Sequence, residues 1–288
     1  MNLEYPNCII CKENEFSNYL AFKDSARSSF SLKQCKCSLV LTSPRPCENS
    51  IHQYYDKNYL PHSDANSKGF MLNNIFRKIS YFWKKKLIIK NIPKKKIVML
   101  DVGAGDGSLA LYLRDYIHSV NVYEKNIDCV RYLNKKNIFA SDRLTEYKDK
   151  SYNLITLFHS LEHIHKMDEL FLHINRITTK KAKMIIAVPN VDACENQFLK
   201  DDWVAWDTPR HLYHFSPKTL NMLLDKNGWQ VIKSKSMFQD TIFNIYMSLK
   251  NKGVKKIFIF FVLTIYSALN QIIFSGKQST NLVICKKK

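Results

Sequence analysis

At 288 residues the chain has room for one medium catalytic domain plus a small accessory segment, not for two large domains. A hydrophobic content of 45% supports a full core and sets aside the disordered classes. The net charge of +19 favours anionic partners such as nucleic acid, acidic lipid head groups or a phosphorylated substrate, although the scatter of Lys, Asn and Ile is equally what an AT-rich coding sequence leaves.

Four of the eight cysteines fall early, as Cys8-Ile-Ile-Cys11 and Cys35-Lys-Cys37. Met1 is followed by polar residues rather than a basic stretch and an apolar run, so the sequence predicts a chain kept in the reducing cytoplasm. There, clustered cysteines more often bind metal than form disulfides. Residues 1–47 therefore read as a Cys-cluster segment, closed by Pro44-Arg45-Pro46. The cluster resembles a zinc knuckle with a shortened second half, and Cys47 or His52 stand near enough in sequence to substitute as ligands. Residues 48–95 read as a linker, Tyr-rich from Gln53 to Ser67, followed by a helix whose apolar positions recur from Phe70 to Leu87 and which ends at Pro93.

Strands and helices then alternate. Ile97–Asp101, Ser119–Glu124, Asn153–Phe158 and Met184–Val188 are apolar runs of strand length. Ser108–Asp115, Ile127–Lys136 and Met167–Thr178 have helical spacing. Ser216 is a good N-cap before Pro217, and Gly228 is a good stop. Trp229–Phe238 and Asn281–Cys285 are the last predicted strands. This alternation predicts an α/β domain over 96–288 built on an open, mostly parallel sheet. An apolar helical insertion over 254–275 precedes the last strand. Its residues Ile257–Ile265 carry one polar side chain, Thr264, and follow Lys255 and Lys256.

The chemistry concentrates at Val98-Met-Leu-Asp101-Val-Gly103-Ala104-Gly105-Asp-Gly107-Ser108. A strand ends, a glycine turn follows and a helix begins, which presents free backbone N–H groups to the polar part of a nucleotide-type ligand. A second strand ends in Glu124, where a carboxylate can accept both hydroxyls of a ribose. The glycines are two apart throughout, unlike the Gly-x-Gly-x-x-Gly of dinucleotide oxidoreductases.

In these motifs the chain resembles the class I S-adenosylmethionine (SAM) dependent methyltransferases. Within them it resembles a bacterial branch near the ubiquinone-biosynthesis O-methyltransferases. The resemblance runs from Cys35-Lys-Cys37-Ser-Leu39-Val40 and Pro44-Arg45-Pro46 through Asp101–Gly107, Glu124 and Leu161-Glu162-His163 to Pro189-Asn190 and His211-Leu212-Tyr-His214-Phe215-Ser216. It implies a Rossmann-like sheet of seven strands with a reversed last hairpin, and SAM as methyl donor. It also implies cofactor contacts from Asp101, Gly103, Ala104, Gly105, Gly107 and Glu124, with Asp142 near the adenine amino group. Structural zinc on Cys8, Cys11, Cys35 and Cys37 would complete the N-terminal segment.

Methyl transfer from a sulfonium requires in-line positioning, with a base where the acceptor must lose a proton. His163 is the candidate base and Glu162 its orienting partner; the same histidine serves equally as a packing or cofactor-contact residue. Trp203, Arg210 and His211 lie where this fold covers its acceptor, which is expected to be a small molecule, a lipid-linked molecule or a glycan, methylated on oxygen or nitrogen. The apolar, lysine-flanked insertion predicts peripheral attachment to the anionic inner membrane, or else packing on the domain or a second copy. Two alternatives remain at the sequence level. An RNA methyltransferase would explain the charge, but no aromatic-interleaved basic module is visible. A non-catalytic SAM-binding partner protein would keep the same loop.

Overall fold

The computed structural model describes residues 2–23, 27–55, 70–92, 96–250, 256–274 and 276–288. Most of the predicted Tyr-rich linker, and Pro93 at the predicted helix end, lie outside the described residues.

The N-terminal part is a set of short strands: β1 (Leu3–Glu4), β2 (Phe16–Ala21), β3 (Ser31–Cys35), β4 (Val40–Thr42) and β5 (Arg45–Pro46). Helix α1 (Phe70–Asn91) follows, and then the alternating domain. That domain comprises β6 (Val98–Val102), α2 (Ser108–Leu113), β7 (Ser119–Tyr123), α3 (Ile127–Lys135), β8 (Ala140–Ser141), β9 (Tyr152–Phe158), α4 (Met167–Ile177) and β10 (Thr178–Pro189). It continues through α5 (Asn196–Leu199), β11 (Tyr213–His214), α6 (Pro217–Lys226), β12 (Trp229–Lys235), α7 (Phe238–Leu249), α8 (Lys256–Ile273) and β13 (Thr280–Lys287).

Seven strands form the central sheet in the order β12-β13-β10-β9-β6-β7-β8. The five from β8 to β10 are parallel, while β13 runs antiparallel to both β10 and β12. The expected seven-stranded sheet with a reversed last hairpin is what the chain forms. Period-two alternation feeds two cores. Met184, Ile186 and Val188 of β10 pack with α4 and α6 on one face. Ile185 and Ala187 pack with α1, α2 and α3 on the other.

The N-terminal segment is joined to this domain rather than set apart from it. Its sheet has the order β11-β4-β3-β2, so β11 from the far end of the chain supplies one edge. Cys8, Ile9, Ile10 and Leu39 belong to the same core as α4 and α6.

Local signals placed most elements. Ser216 and Thr219 form a capping box, with Ser216 Oγ accepting from Thr219 N at 3.1 Å and Pro217 at the first helical position. Asn126 caps α3 through Asp128 N and Cys129 N. Three departures have physical causes. Strand β12 stops at Lys235, and Phe238 opens α7, whose buried stripe includes Thr241, Asn244 and Ser248 and so carries no apolar period. Strand β10 begins at Thr178, six residues before the predicted apolar run; Thr178 pairs with Tyr152, and the lysine-rich stretch after it is an irregularity across which the register with β9 shifts. The N-terminal strands escaped because β1 and β5 have two residues each and β2 is largely exposed, so none of these three carries an apolar run.

The order of connections creates a crevice. The chain runs outward from β6 to β8 and then returns to β9 on the other side of β6. The carboxyl ends of β6 and β9 therefore diverge at a topological switch point, where ligands bind in open α/β sheets. The turn there is tightly boxed. A Cβ on Gly107 (φ +67°) would meet Leu133 Cδ2 at 2.2 Å, whereas one on Gly228 (φ +83°) would meet nothing within 4 Å. Gly107→Ala is accordingly expected to cost roughly 2–4 kcal/mol, combining left-handed strain with overpacking, and Gly228→Ala only about 1–2 kcal/mol. Denaturant melts of the two variants check this, and equal losses would refute the packing argument.

Candidate active site

The site grows from the end of β6. Asp101 is buried, and its Oδ1 accepts a 2.6 Å hydrogen bond from Thr156 Oγ1 on β9. Burial raises its pKa to about 6, partly offset by the Thr156 hydroxyl and the nearby Lys84. A raised carboxyl pKa means that folding takes up a proton between about pH 4 and pH 6, so Asp101 lowers stability as the pH rises through that window. Residues Gly103, Gly105 and Gly107 all have positive φ, which only glycine adopts without strain. Gly103 passes directly beneath Ser160, whose hydroxyl donates to the Val102 carbonyl at 2.7 Å and ties the loop after β9 to the end of β6.

Glu124 follows β7 and reaches back to this turn. Its Oε2 accepts from Gly105 N at 2.8 Å and its Oε1 from Asn126 N at 3.0 Å. Two backbone donors thus fix the carboxylate while leaving about half of its four lone-pair sites open. Asp142 follows β8 at the neighbouring strand end, partly exposed and 3.9 Å from Arg143.

Past β9, a turn of 3-10 helix over Leu161–His163 carries the candidate acid–base residues. Glu162 is fully buried, and neither carboxylate oxygen has a hydrogen-bond partner. Two imidazoles flank it instead, His159 Nδ1 at 3.8 Å and His211 Nε2 at 4.0 Å. The far nitrogens are already committed, His159 Nε2 to Asp240 at 3.1 Å and His211 Nδ1 to the Ala205 carbonyl at 2.8 Å. Burial opposes the His159 imidazolium, but Asp240 and Glu162 outweigh it and raise its pKa. His163 behaves oppositely: burial, reinforced by His211, lowers its pKa to about 3. Its Nδ1 faces the Arg210 carbonyl at 3.0 Å and therefore carries the proton, with the Tyr55 hydroxyl 3.1 Å away. The ring presents an unprotonated Nε2 as its remaining polar atom.

The structure gathers His163, Glu162, Arg210 and His211 at one strand end. Arg210 is paired with Asp207 and donates to the Tyr54 carbonyl at 3.0 Å. Trp203 is buried in a third core formed by the N-terminal strands, the segment after β10, α7 and α8. Trp206, edge-on to it at 4.9 Å, lines a cavity of about 560 Å³ with Tyr19, Asp192, Lys200, Tyr266 and Lys277. Sequence reasoning missed Thr156, Asp207 and Asp240 as partners. Asp207 was legible as an i,i+3 partner of Arg210 and an i,i+4 partner of His211, but Asp240 lies 81 residues from His159.

In the N-terminal segment, Cys8 and Cys11 sit on one tight turn, with Cys35 and Cys37 on the β3–β4 turn. Cys8 Sγ lies 3.5 Å from Cys37 Sγ, and Cys11 Sγ lies 3.3 Å from Cys35 Sγ. All four sulfurs fall within 4.8 Å of one another, close to the edge lengths of a tetrahedron with about 2.3 Å metal–sulfur bonds. The short Cys35-x-Cys37 spacing is accommodated by Ser38 at φ +76°, and Cys47 is turned instead toward Ser50 at 3.3 Å.

A methyltransferase-domain family matches residues 69–234, more than half of the chain, and the chain belongs to it. An uncharacterized protein of Methanocaldococcus jannaschii is 26% identical over 201 residues, covering 68% of this chain and 82% of that protein. Among solved structures, phosphoethanolamine N-methyltransferase 2 of Haemonchus contortus, bound to phosphomonomethylethanolamine and S-adenosylhomocysteine, superposes with a TM-score of 0.51 at 16% identity. The match covers 86% of this chain and 62% of that one. A mycolic acid cyclopropane synthase bound to S-adenosylhomocysteine gives 0.50 at 13% identity, over 72% of this chain and 84% of that one. These likenesses are of fold. The class of the protein comes from the family match, which makes the chain a methyltransferase-domain protein.

The histidine environments differ enough to be measured. In an NMR pH titration, His163 is expected to stay neutral down to about pH 3, while His159 titrates above its ordinary value. Replacing Asp240 with Asn should remove the upward shift of His159 and leave His163 unmoved.

Proposed function

We propose that the protein moves a methyl group from SAM to an oxygen or nitrogen of a small-molecule, lipid-linked or glycan acceptor in the cytoplasm. The observation that carries this reading is Glu124, a carboxylate fixed by Gly105 N and Asn126 N with lone pairs to spare for two adjacent hydroxyls. A ribose matches that set of acceptors. Gly103, Ala104, Gly105 and Gly107 would lie against the cofactor, Asp101 would meet the cationic amino-acid end, and Asp142 the adenine amino group. Bound there, SAM supplies an electrophilic methyl on sulfur.

The remaining work belongs to the protein. Acceptor and donor must be held in line, and a proton must leave the acceptor. In this reading His163 is the base, through Nε2, since its Nδ1 is tied to the Arg210 carbonyl; burial holds its pKa near 3 in the free protein, so it takes a proton only once the bound cofactor and acceptor have raised that value. Glu162 is the buried counter-charge for the histidines around it. His211 and Arg210 position His163, and Trp203 backs the Trp206 wall of the cavity. The four cysteines hold a structural zinc that locks the N-terminal turns onto the α4–α6 face; their mutual distances support this.

Calorimetric titration of SAM and S-adenosylhomocysteine tests the central claim. Wild type is expected to bind both, and Glu124→Ala to weaken binding by about tenfold or more, the value of one or two lost charge-assisted hydrogen bonds. Folded wild type that binds neither would overturn the reading. Asp101→Asn should separate stability from binding. It is expected to abolish the loss of stability between about pH 4 and pH 6 while weakening SAM binding, because the buried carboxylate that destabilises the fold is also the ligand for a cation. For the cysteines, metal analysis should return zinc bound to wild type and lost from Cys35→Ser, with a lower melting temperature.

A further inference from the structure

Helix α8 wears its residues inside out. Only Leu263 and Ser267 are buried. The inward face makes polar contacts: Ser267 Oγ donates to the buried Glu195 at 3.5 Å, and Gln271 Nε2 donates to Thr241 Oγ1 at 2.8 Å. The outward face is apolar. Phe258, Val262, Ile265, Leu269 and Ile272 recur at spacings of three, four and seven residues, and Phe258 is 75% exposed, Ile265 60% and Ile272 83%. Phe243 and Tyr246 of α7 extend the same exposed surface, with Tyr246 edge-on to Phe260 of α8 at 6.3 Å. A helix in water has the opposite polarity, and a patch of this extent marks an interface.

Charge selects the occupant. Beyond Asp240 the sequence has eight lysines and no acidic residue. Lys250 and Lys256 stand at one end of α8 and Lys277 just past the other. A second copy of the chain would set these lysines against one another, whereas an anionic bilayer neutralises them while taking up the apolar stripe. By length and composition α8 could cross a bilayer, but Ser267 and Gln271 tie one side of it to Glu195 and Thr241, so the helix stays against the domain and lies along a surface. The 560 Å³ cavity beyond the end of β10 is walled by Tyr266, Asn270 and Phe274 from the same stretch, which puts its rim at that surface.

We propose that the outward face of α8, continued by α7, seats the protein on an anionic lipid bilayer, with the cavity beside Trp206 opening next to that surface. The docking does not rest on the methyl-transfer reading. The test is flotation of the full-length protein with vesicles of phosphatidylcholine and phosphatidylglycerol in equal parts, and with phosphatidylcholine alone. Wild type is expected to float with the mixed vesicles and much less with the neutral ones, with salt weakening the association. Ile265→Glu and Leu269→Glu, both at exposed positions, should melt like wild type and partition about tenfold or more weakly, since burying one such side chain is worth on the order of a factor of ten. Lys277→Glu should weaken binding about fivefold or more through charge alone. Wild type that stays with the aqueous layer, or Glu variants that float equally well, would overturn the proposal. So would a dimer by light scattering that Ile265→Glu dissociates, which would assign the face to a second copy. Calorimetric SAM binding on the same samples keeps the two readings apart: loss of flotation with SAM binding intact removes only the membrane, and the converse removes only the methyl donor.

Discussion

Everything at the catalytic end depends on one tight passage, the turn that leaves β6 under Ser160 and enters α2 against Leu133. Three glycines at positive φ let the backbone fit between these two side chains. A backbone folded that closely satisfies its own N–H groups, contrary to the free donors the sequence predicts: Gly103 N donates to the Tyr123 carbonyl, Gly105 N to Glu124, Gly107 N to the Ala104 carbonyl and Ser108 N to Asp106. Steric exclusion thus sets the path of the turn, and the turn fixes the Glu124 carboxylate. The same packing sets the distance between the ends of β6 and β9, through the Ser160 hydroxyl on the Val102 carbonyl.

A second constraint is electrostatic. The crevice buries Asp101, Glu162 and His211, with His159 and His163 half-buried beside them. Asp101 is hydrogen-bonded and Glu162 is not, yet Glu162 has two imidazoles within about 4 Å. Burial raises the pKa of both acids. A folded chain that keeps such groups forgoes stability that apolar residues would supply, a pattern characteristic of functional sites. The N-terminal strands contribute here as well. β4 pairs with β11, just after His211, and Thr42 Oγ1 donates to the His211 carbonyl at 2.7 Å, so the cysteine-bearing segment braces the histidine cluster.

The elements that could be read in the sequence are those whose signal is local. The glycine turn, the capping box at Ser216 and the apolar strands each state their structure within a few residues. The elements that could not be read draw their stability from remote partners. Helix α7 buries Thr241 and Asn244, which have meaning only once Gln271 and Ser279 are beside them. The two-residue strand β11 exists because β4 lies alongside it. For the site, Asp101, the glycines and Glu124 were legible because strand ends and turns carry them in sequence order. Asp240 was not, since it reaches His159 from an element whose period the sequence hides.

By itself, then, the sequence determined the alternation of strands and helices from β6 to β10, the glycine turn with its two flanking acids, and the pairs of cysteines, because each of these follows from short-range backbone geometry and residue chemistry. Only the tertiary structure decided that the cysteine pairs converge, that His211 comes to Glu162 from a distant segment, and that α8 turns its apolar stripe outward. Each of these is a relation between segments far apart in the chain. Hydrophobic periodicity reports that a helix has a face; which way the face points is fixed by what the rest of the core has already filled.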